Sequence, residues 1–282
     1  MKIYLLTDLE GPTGVNGRSD GIGNDIINES ASGEALVNEV NACIEGLLAG
    51  GVTEVMVVDG HGGSNSIVHK LLHPRATFLQ LGGMAPVNLL DASFDAAVQI
   101  GAHAMQGSSA YMNHTFSSHS ICEMRINGRP IGEIGVSALM ASYFGVPTVL
   151  VSGDRNACEE AKNELGSSVR TVETKKGLSR YTAINRPIKQ VIEELKQQAE
   201  LAVAGLSRIK PLMAGPYVMD LEVMSPNQAF VYEMHGAERT GDRTIRITSD
   251  DIIDLLAQYQ GWAKGVHNRK FNVTPATRDL YC

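Results

Sequence analysis

Short apolar runs that alternate with helical patterns occupy the first two thirds of the chain. The apolar runs predict buried strands at residues 3–6, 55–58, 78–81, 96–101 and 147–151. Apolar positions at helical spacing predict helices at residues 29–51 and 133–143, and a further helix that begins near Asp154. This alternation is typical of an α/β fold with a parallel sheet.

The pattern changes after Thr174. A long helix is predicted at residues 187–206, followed by apolar segments at 216–225, 229–236 and 243–248 that we interpret as strands of a separate sheet, and by a last helix at 249–266. Asn127-Gly128 also predicts a hairpin turn. We therefore predict an α/β fold: a mainly parallel sheet with flanking helices in a first lobe (1–186), plus a smaller C-terminal α+β lobe (187–282).

Composition and charge narrow the classes of protein to which the chain can belong. Of its 282 residues 43% are hydrophobic, and the formal net charge is -7 with a sequence pI near 5.6. An acidic chain is poorly suited to nucleic acid or to anionic membranes, both of which need basic patches. The sequence has no apolar run of the roughly 20 residues that a membrane span needs, and no pattern of a signal peptide, so we expect a cytoplasmic protein.

Polar residues follow the predicted strands where each strand ends. In open α/β sheets the carboxyl ends of the strands meet at one edge, so we expect these side chains to converge. Carboxylates and imidazoles together form the ligand set for two zinc-like ions. The residues are Asp8 with Glu10, Asp59 with His61, His103, and Glu133 after the hairpin.

Ligand counting favours a catalytic site over a structural one. If Asp8 bridges two ions, each ion has three protein ligands and an open position, as catalytic zinc has. One ion would take Asp8, Glu10 and His61, and the other Asp8, His103 and Glu133. Two ions about 3.5–4 Å apart would activate a water for attack on a carbonyl.

Two further residues complete the predicted site. His114 is the candidate for proton transfer or for stabilising the developing oxyanion. Asp59 could accept a hydrogen bond from a ligating imidazole and fix its tautomer. Taken singly, each of these residues can be explained equally well as an ordinary loop or surface residue. The joint placement of the candidate ligands after successive strands favours a metal-binding catalytic site in the first lobe (1–186). We interpret His69 and His73 as surface residues.

Several motifs together resemble the M55 peptidase family. They are TDLEG, VVDGHGGSN, GAHA, MNHTFS and RPIGEIG, in this order. The resemblance implies two zinc ions bound by Asp8, Glu10, His61, His103 and Glu133, with His114 as the catalytic histidine; the bridging role of Asp8 rests partly on it. It further implies release of N-terminal D-amino acids, especially D-alanine, from short peptides, and a ring-based homodecamer that encloses the active sites.

The prediction is a dizinc metallo-aminopeptidase that acts on short peptides. Mn²⁺ or Co²⁺ could replace Zn²⁺ in such a ligand set, and the residues leave the exact substrate and its stereochemistry open. One alternative is a non-catalytic peptide-binding or metal-binding accessory protein of peptide uptake. A second is a dinuclear phosphoesterase, which is less well supported because neither a glycine-rich phosphate loop nor an Arg/Lys cluster accompanies the ligands.

Overall fold

The structure is a computed structural model that describes residues 1–21, 25–62, 65–80, 89–207, 209–261 and 263–265. The end of the third predicted strand at Leu81 and residues 266–282 of the predicted C-terminal lobe lie outside these residues. No helix in the described ranges is both long enough and apolar enough to cross a membrane.

A seven-stranded sheet forms the centre of the molecule. Its order is β11-β10-β9-β6-β1-β4-β5, and every neighbouring pair is parallel except β10 with β11. The strands are β1 (Lys2–Thr7), β4 (Glu54–Asp59), β5 (Ala76–Leu79), β6 (Ala96–Ala102), β9 (Thr148–Asp154), β10 (Arg170–Ser179) and β11 (Thr182–Asn185). The mainly parallel sheet of the predicted α/β fold is thus confirmed.

One face of this sheet is covered by α1 (Glu29–Ala49) and α4 (Ile188–Ala202), while α3 (Arg155–Leu165) packs with Ile134 against the other face, beside β9 and β10. The first two helices approach closely at Gly46, where a Cβ atom would lie 2.1 Å from the carbonyl oxygen of Lys196. The sequence signals for helix ends were accurate: α1 ends at Gly50, and Asp154 caps α3 by accepting from the N–H groups of Asn156 and Ala157.

The opposite face carries α2 (Glu133–Tyr143), α6 (Ile252–Tyr259) and a second, antiparallel sheet, which share one hydrophobic core. The second sheet has the order β13-β14-β12-β7-β8. Its strands are β7 (Ile121–Ile126), β8 (Arg129–Pro130), β12 (Tyr217–Val223), β13 (Glu238–Arg239) and β14 (Thr244–Ser249), while β2 (Gly17–Ser19) and β3 (Asp25–Ile27) form a separate two-stranded ribbon.

The hairpin at Asn127-Gly128 is present, and both residues have the positive φ of the favoured two-residue turn. Its first strand, β7, pairs with β12. The second sheet therefore contains strands from both sides of residue 186, and the division of the chain at that residue stays a prediction.

The predicted strand at residues 229–236 is wrong. This segment belongs to α5 (Pro226–Met234), which begins with a capping box between Ser225 and Gln228 and has Pro226 in its first turn. A capping box satisfies two N–H groups at the start of a helix. These start signals determine the structure of an apolar run that by itself fits either a strand or a helix.

Candidate metal centre

The ends of three adjacent parallel strands bring the predicted ligands together. Asp8 follows β1, His61 follows β4, and His103 follows β6, while Glu133 is the first residue of α2. A backbone hydrogen bond aligns the ends of β1 and β6: the Asp8 N–H donates to the Ile100 carbonyl at 2.9 Å.

Glycine allows the loop after β1 to lie against β6. The Gly11 N–H donates to the Gly101 carbonyl at 2.8 Å, and a Cβ atom on Gly11 would lie 2.2 Å from the carbonyl oxygen of Ala102. Gly101 has a φ of 81°, a conformation that side chains disfavour. The two glycines thereby let the loop that carries Glu10 pass beside the strand that carries His103.

The carboxylate of Asp8 lies between two pairs of ligand atoms. Its Oδ1 is 3.1 Å from His61 Nδ1, which is also 3.1 Å from Glu10 Oε2. Its Oδ2 is 3.2 Å from His103 Nε2, which is 3.3 Å from Glu133 Oε1. Each oxygen of Asp8 therefore faces one imidazole and one further carboxylate, which is the arrangement that a bridging ligand needs.

Backbone carbonyls fix the tautomers of two of the histidines. His103 Nδ1 lies 3.0 Å from the Ala104 carbonyl, and His114 Nδ1 lies 2.9 Å from the Met112 carbonyl. Because a carbonyl can only accept, each Nδ1 carries the hydrogen, and the neutral ring presents its lone pair on Nε2. In His103 that lone pair faces Asp8 and Glu133, as a metal ligand requires.

The electrostatics of the cluster favour a bound cation. Burial opposes charge on His61, but Glu10 and Asp8 raise its pKa to about 11. Burial likewise opposes charge on His103, whose pKa is nevertheless held well above its usual range by Glu133 and Asp8. Burial acts to raise the pKa of Asp8, yet His103 and His61 hold it well below its usual range. The carboxylate of Asp8 thus stays ionised and attracts positive charge, which metal ions supply when they displace the histidine protons.

Two buried atoms of the cluster support the same conclusion. Glu10 Oε2 and His103 Nε2 have no partner of hydrogen-bonding geometry among the described residues. Buried polar atoms are ordinarily paired, and an unpaired one needs an explanation such as an ion. Both atoms point to the places where the ligand pairs converge, so the residues present fit two metal ions.

His114 lies against the second ligand pair. Its ring stacks on that of His103 with centroids 4.0 Å apart, and its Nε2 is 3.8 Å from Glu133 Oε1. Ligand atoms of His103, His114 and Glu133 all lie within 4.8 Å of one another, as do those of Asp8, Glu10 and His103. The position of His114 therefore suits the predicted catalytic role and also permits metal ligation.

Comparison with known proteins identifies the family. The model of the M55 peptidases, described as D-aminopeptidase, matches residues 1–260 of the chain. The chain belongs to the M55 peptidase family. The predicted family and the predicted class of peptide hydrolase are thus confirmed.

Two relatives of this M55 peptidase are informative. The D-aminopeptidase of Bacillus subtilis (strain 168) is 29% identical over 260 residues, which are 90% of this chain and 93% of the relative. A solved structure is described as the Zn-dependent D-aminopeptidase DppA from Bacillus subtilis, a self-compartmentalizing protease. It is 28% identical with a TM-score of 0.82, and the alignment covers 93% of this chain and 95% of that one.

The side chain of Asp59 contributes to the M55 peptidase site by binding backbone N–H groups of the loop after β4. Its carboxylate accepts from the N–H and the hydroxyl of Ser66, from the N–H of Ile67, and from the N–H of His61 at 3.3 Å. These contacts hold the loop that carries His61. The predicted hydrogen bond from Asp59 to an imidazole ring stays a prediction.

Sequence reasoning missed Lys175, which is fully buried on β10 beside the centre. Its Nζ donates to the carbonyls of Glu10 at 2.9 Å and of Val15 at 3.0 Å, and lies 4.5 Å from the centroid of the Tyr111 ring. The neighbouring Thr174 hydroxyl donates to the Gly11 carbonyl. Together they fix the loop between Asp8 and Val15. A Thr-Lys pair in a strand carries no motif that would have revealed this.

Glu39 extends this buried network and gives the fold a dependence on pH. Its Oε1 accepts from the Thr13 N–H at 2.7 Å. Burial raises the pKa of Glu39 from 4.5 to about 8, although Thr13 and the opposite charge of Lys175 act to lower it. The folded state therefore holds a proton that the unfolded state releases. This contribution to stability is complete below about pH 4.5 and is lost as the pH rises towards 8.

We expect Glu39→Gln to flatten the fall in stability of the metal-free protein between about pH 5.5 and 7.5, by up to about 1.4 kcal/mol per pH unit. Glutamine keeps the acceptor for Thr13 but cannot ionise. A slope remains in the variant, because burial also raises the pKa of Glu160 to about 7 and the neighbouring carboxylates raise the pKa values of His61 and His103. Urea unfolding at fixed protein concentration measures the free energy of unfolding at each pH. The control is Glu34→Gln, which changes an exposed residue of the same helix. Equal slopes in wild type and Glu39→Gln would contradict the expectation.

A cavity of about 540 Å³ adjoins the metal centre of the M55 peptidase. It is lined by four residues of the centre (Asp8, Glu10, His61 and Glu133), by His114, Ser118 and His119, and by apolar residues that include Leu6, Met140 and Leu256. His119 lies in an exposed turn.

Proposed function

We propose that this M55 peptidase is a dinuclear zinc aminopeptidase that releases N-terminal D-amino acids, such as D-alanine, from short peptides. The observation that carries the proposal is the carboxylate of Asp8, whose two oxygens face two different imidazole–carboxylate pairs. The zinc dependence of the solved relative and the description of the family as D-aminopeptidase support it.

The ligands would divide between two ions, with Asp8 contributing to both sets. Glu10 and His61 would complete the first set, and His103 and Glu133 the second. Three ligands for each ion leave a position open, as in catalytic zinc sites. The mixture of imidazole and carboxylate suits Zn²⁺ and also accepts Mn²⁺ or Co²⁺. Zinc bound there would supply an activated water and polarise the scissile carbonyl.

The protein's own groups position the substrate and move protons. His114 holds its Nδ1 hydrogen on the Met112 carbonyl, so its Nε2 is free to accept or return a proton beside the cavity that His114 lines. In its protonated form the same atom can donate to the oxyanion that develops on the carbonyl. The cavity beside it is large enough for the first residue of a short peptide.

We expect Glu10→Gln and Glu133→Gln each to lower the rate of D-alanine release from a D-alanyl dipeptide by at least about a hundredfold. Each change removes one charge from a ligand and keeps its size. The same assay with the matching L-alanyl dipeptide tests stereochemistry, and Glu34→Gln is the exposed control. Wild-type rates in both ligand variants would refute the ligand assignment, and the absence of turnover by the wild type would favour the accessory binding protein.

We also propose that the chain self-associates, as a ring-based homodecamer in the cytoplasm. The solved relative is described as self-compartmentalizing. The surface of α5 supports an interface there, since Phe230, Val231 and Met234 are 53%, 51% and 68% exposed. Phe230 and Met234 lie four residues apart on one face of the helix. An exposed apolar face of this kind is typical of a contact between subunits.

Light scattering on the wild-type protein should give about 303 kDa, ten times the 30.3 kDa of one chain. The double variant Phe230→Asp/Met234→Asp should give smaller species, because charge on this face of α5 opposes burial. Leu201→Asp, which changes an exposed apolar residue of α4 that is 49% accessible, is the matched control. An unchanged mass for the α5 variant would exclude this face as an interface.

A further inference from the structure

We propose that Arg180 is a positioning residue that holds His114 in place for the reaction. The inference rests on the proposed function, because it assumes that His114 assists the chemistry. It concerns how the chain keeps one histidine of a long loop aligned with the metal centre.

The loop that carries His114 needs anchors outside itself. It covers residues 103–120 between β6 and β7, and none of these residues belongs to a helix or a strand. Met112 and Phe116, two residues before and after His114, have φ angles of 45° and 58°. Such conformations cost energy for residues other than glycine and persist only where the surroundings hold them.

Arg180 holds both residues that precede His114. Its Nη1 donates to the Asn113 carbonyl at 2.7 Å, and its own carbonyl accepts from the Met112 N–H at 2.9 Å. The Met112 carbonyl in turn accepts from His114 Nδ1. Hydrogen bonds thus join the Arg180 main chain to the His114 ring through Met112, while the Arg180 guanidinium group holds Asn113, the residue between Met112 and His114.

The guanidinium group is itself held in a fixed orientation. Its Nη2 donates to Asp25 Oδ2 at 2.7 Å, and the Tyr181 hydroxyl donates to Asp25 Oδ1 at 2.5 Å. Asp25 belongs to β3 and lines the cavity. The planar fork of arginine can bind the carbonyl and the carboxylate together, whereas the single ammonium of lysine is a point donor. Arg180 thus joins the ribbon, the β10–β11 turn and the His114 loop.

Loss of the Arg180 guanidinium group should slow hydrolysis and leave the metal ligands in place. We expect Arg180→Met to lower kcat of D-alanyl dipeptide hydrolysis by about 10- to 100-fold, since misplacement of a catalytic group by about 1 Å has effects of this size. The zinc content should stay at the wild-type value, and Arg180→Lys should recover part of the rate. The control is Arg155→Met, which removes an exposed arginine that forms an ion pair with Glu173.

A double-mutant cycle separates positioning from general damage to the fold. If Arg180 acts through His114, Arg180→Met should have little further effect on kcat in a His114→Ala background. A second readout needs no metal: in metal-free protein, diethyl pyrocarbonate should modify His114 at least about threefold faster in Arg180→Met than in wild type. Peptide mass spectrometry measures this rate, with the exposed His69 of the same chain as internal reference.

The possible outcomes are distinct. An impaired His114→Ala together with a normal Arg180→Met would overturn this inference and leave the proposed function intact. Multiplicative losses in the cycle, or loss of zinc from Arg180→Met, would also overturn it. Full activity of His114→Ala would remove the proposed role of His114 and this inference with it.

Discussion

Asp8→Asn should reduce zinc binding to less than one ion per chain and lower D-alanyl dipeptide hydrolysis by at least about a thousandfold. The reason is that both ligand sets contain Asp8: Oδ1 lies 3.1 Å from His61 Nδ1, and Oδ2 lies 3.2 Å from His103 Nε2. An amide has one good metal-binding oxygen and no charge, so it cannot serve two cations. Zinc content after desalting and initial rates measure the two effects.

The control for this variant is Asp242→Asn, which makes the same chemical change at an exposed position. It should bind zinc and turn over peptide as the wild type does. Two zinc ions per chain bound with wild-type affinity by Asp8→Asn would show that Asp8 does not bridge. Loss of a single ion would instead place Asp8 in one of the two sets.

His114→Ala should lower kcat by about 10²- to 10⁴-fold, the range that general acid–base groups contribute. Its zinc content should stay unchanged, because the two proposed ligand sets do not include His114. The His69→Ala variant, which alters an exposed histidine that is not among the proposed ligands, should behave as the wild type. Rates and zinc content are measured on the same preparations.

Zinc content decides between two roles of His114 that the geometry permits. Its Nε2 lies 3.8 Å from Glu133 Oε1, close enough for it to share an ion with Glu133 and His103. If His114→Ala loses one zinc ion per chain together with its activity, His114 is a ligand. If it keeps both ions and full activity, it has neither role.

The sequence was most informative where local pattern and sheet topology agree. The strands before Asp8, His61 and His103 are continuous apolar runs, as strands buried on both faces are. Because these strands are parallel neighbours in the order β6-β1-β4, the residues after them meet at one edge. Glu133 joins them because it begins the helix after the hairpin. The convergence of these four positions could therefore be predicted from the sequence.

Other features depend on contacts that no local pattern encodes. Lys175 is far from Glu10 in the sequence, and only the pairing of β10 with β9 brings its ammonium group beneath the loop after β1. Arg180 is likewise distant from Asn113 in the sequence. Its place in the turn between β10 and β11 brings its guanidinium group to the Asn113 carbonyl. The strand prediction for residues 229–236 is wrong for a different reason. The apolar run is compatible with a strand or a helix, and the capping box of Ser225 and Gln228 favours the helix.

Titration of the metal-free protein with zinc, with bound zinc and D-alanine release followed together, tests the dinuclear centre most directly. The ligand arrangement around Asp8 predicts that activity reaches its plateau at two bound ions per chain, and that Asp8→Asn shows neither the binding nor the activity. A plateau at one ion per chain, or D-alanine release that does not depend on added metal, would contradict the proposed mechanism.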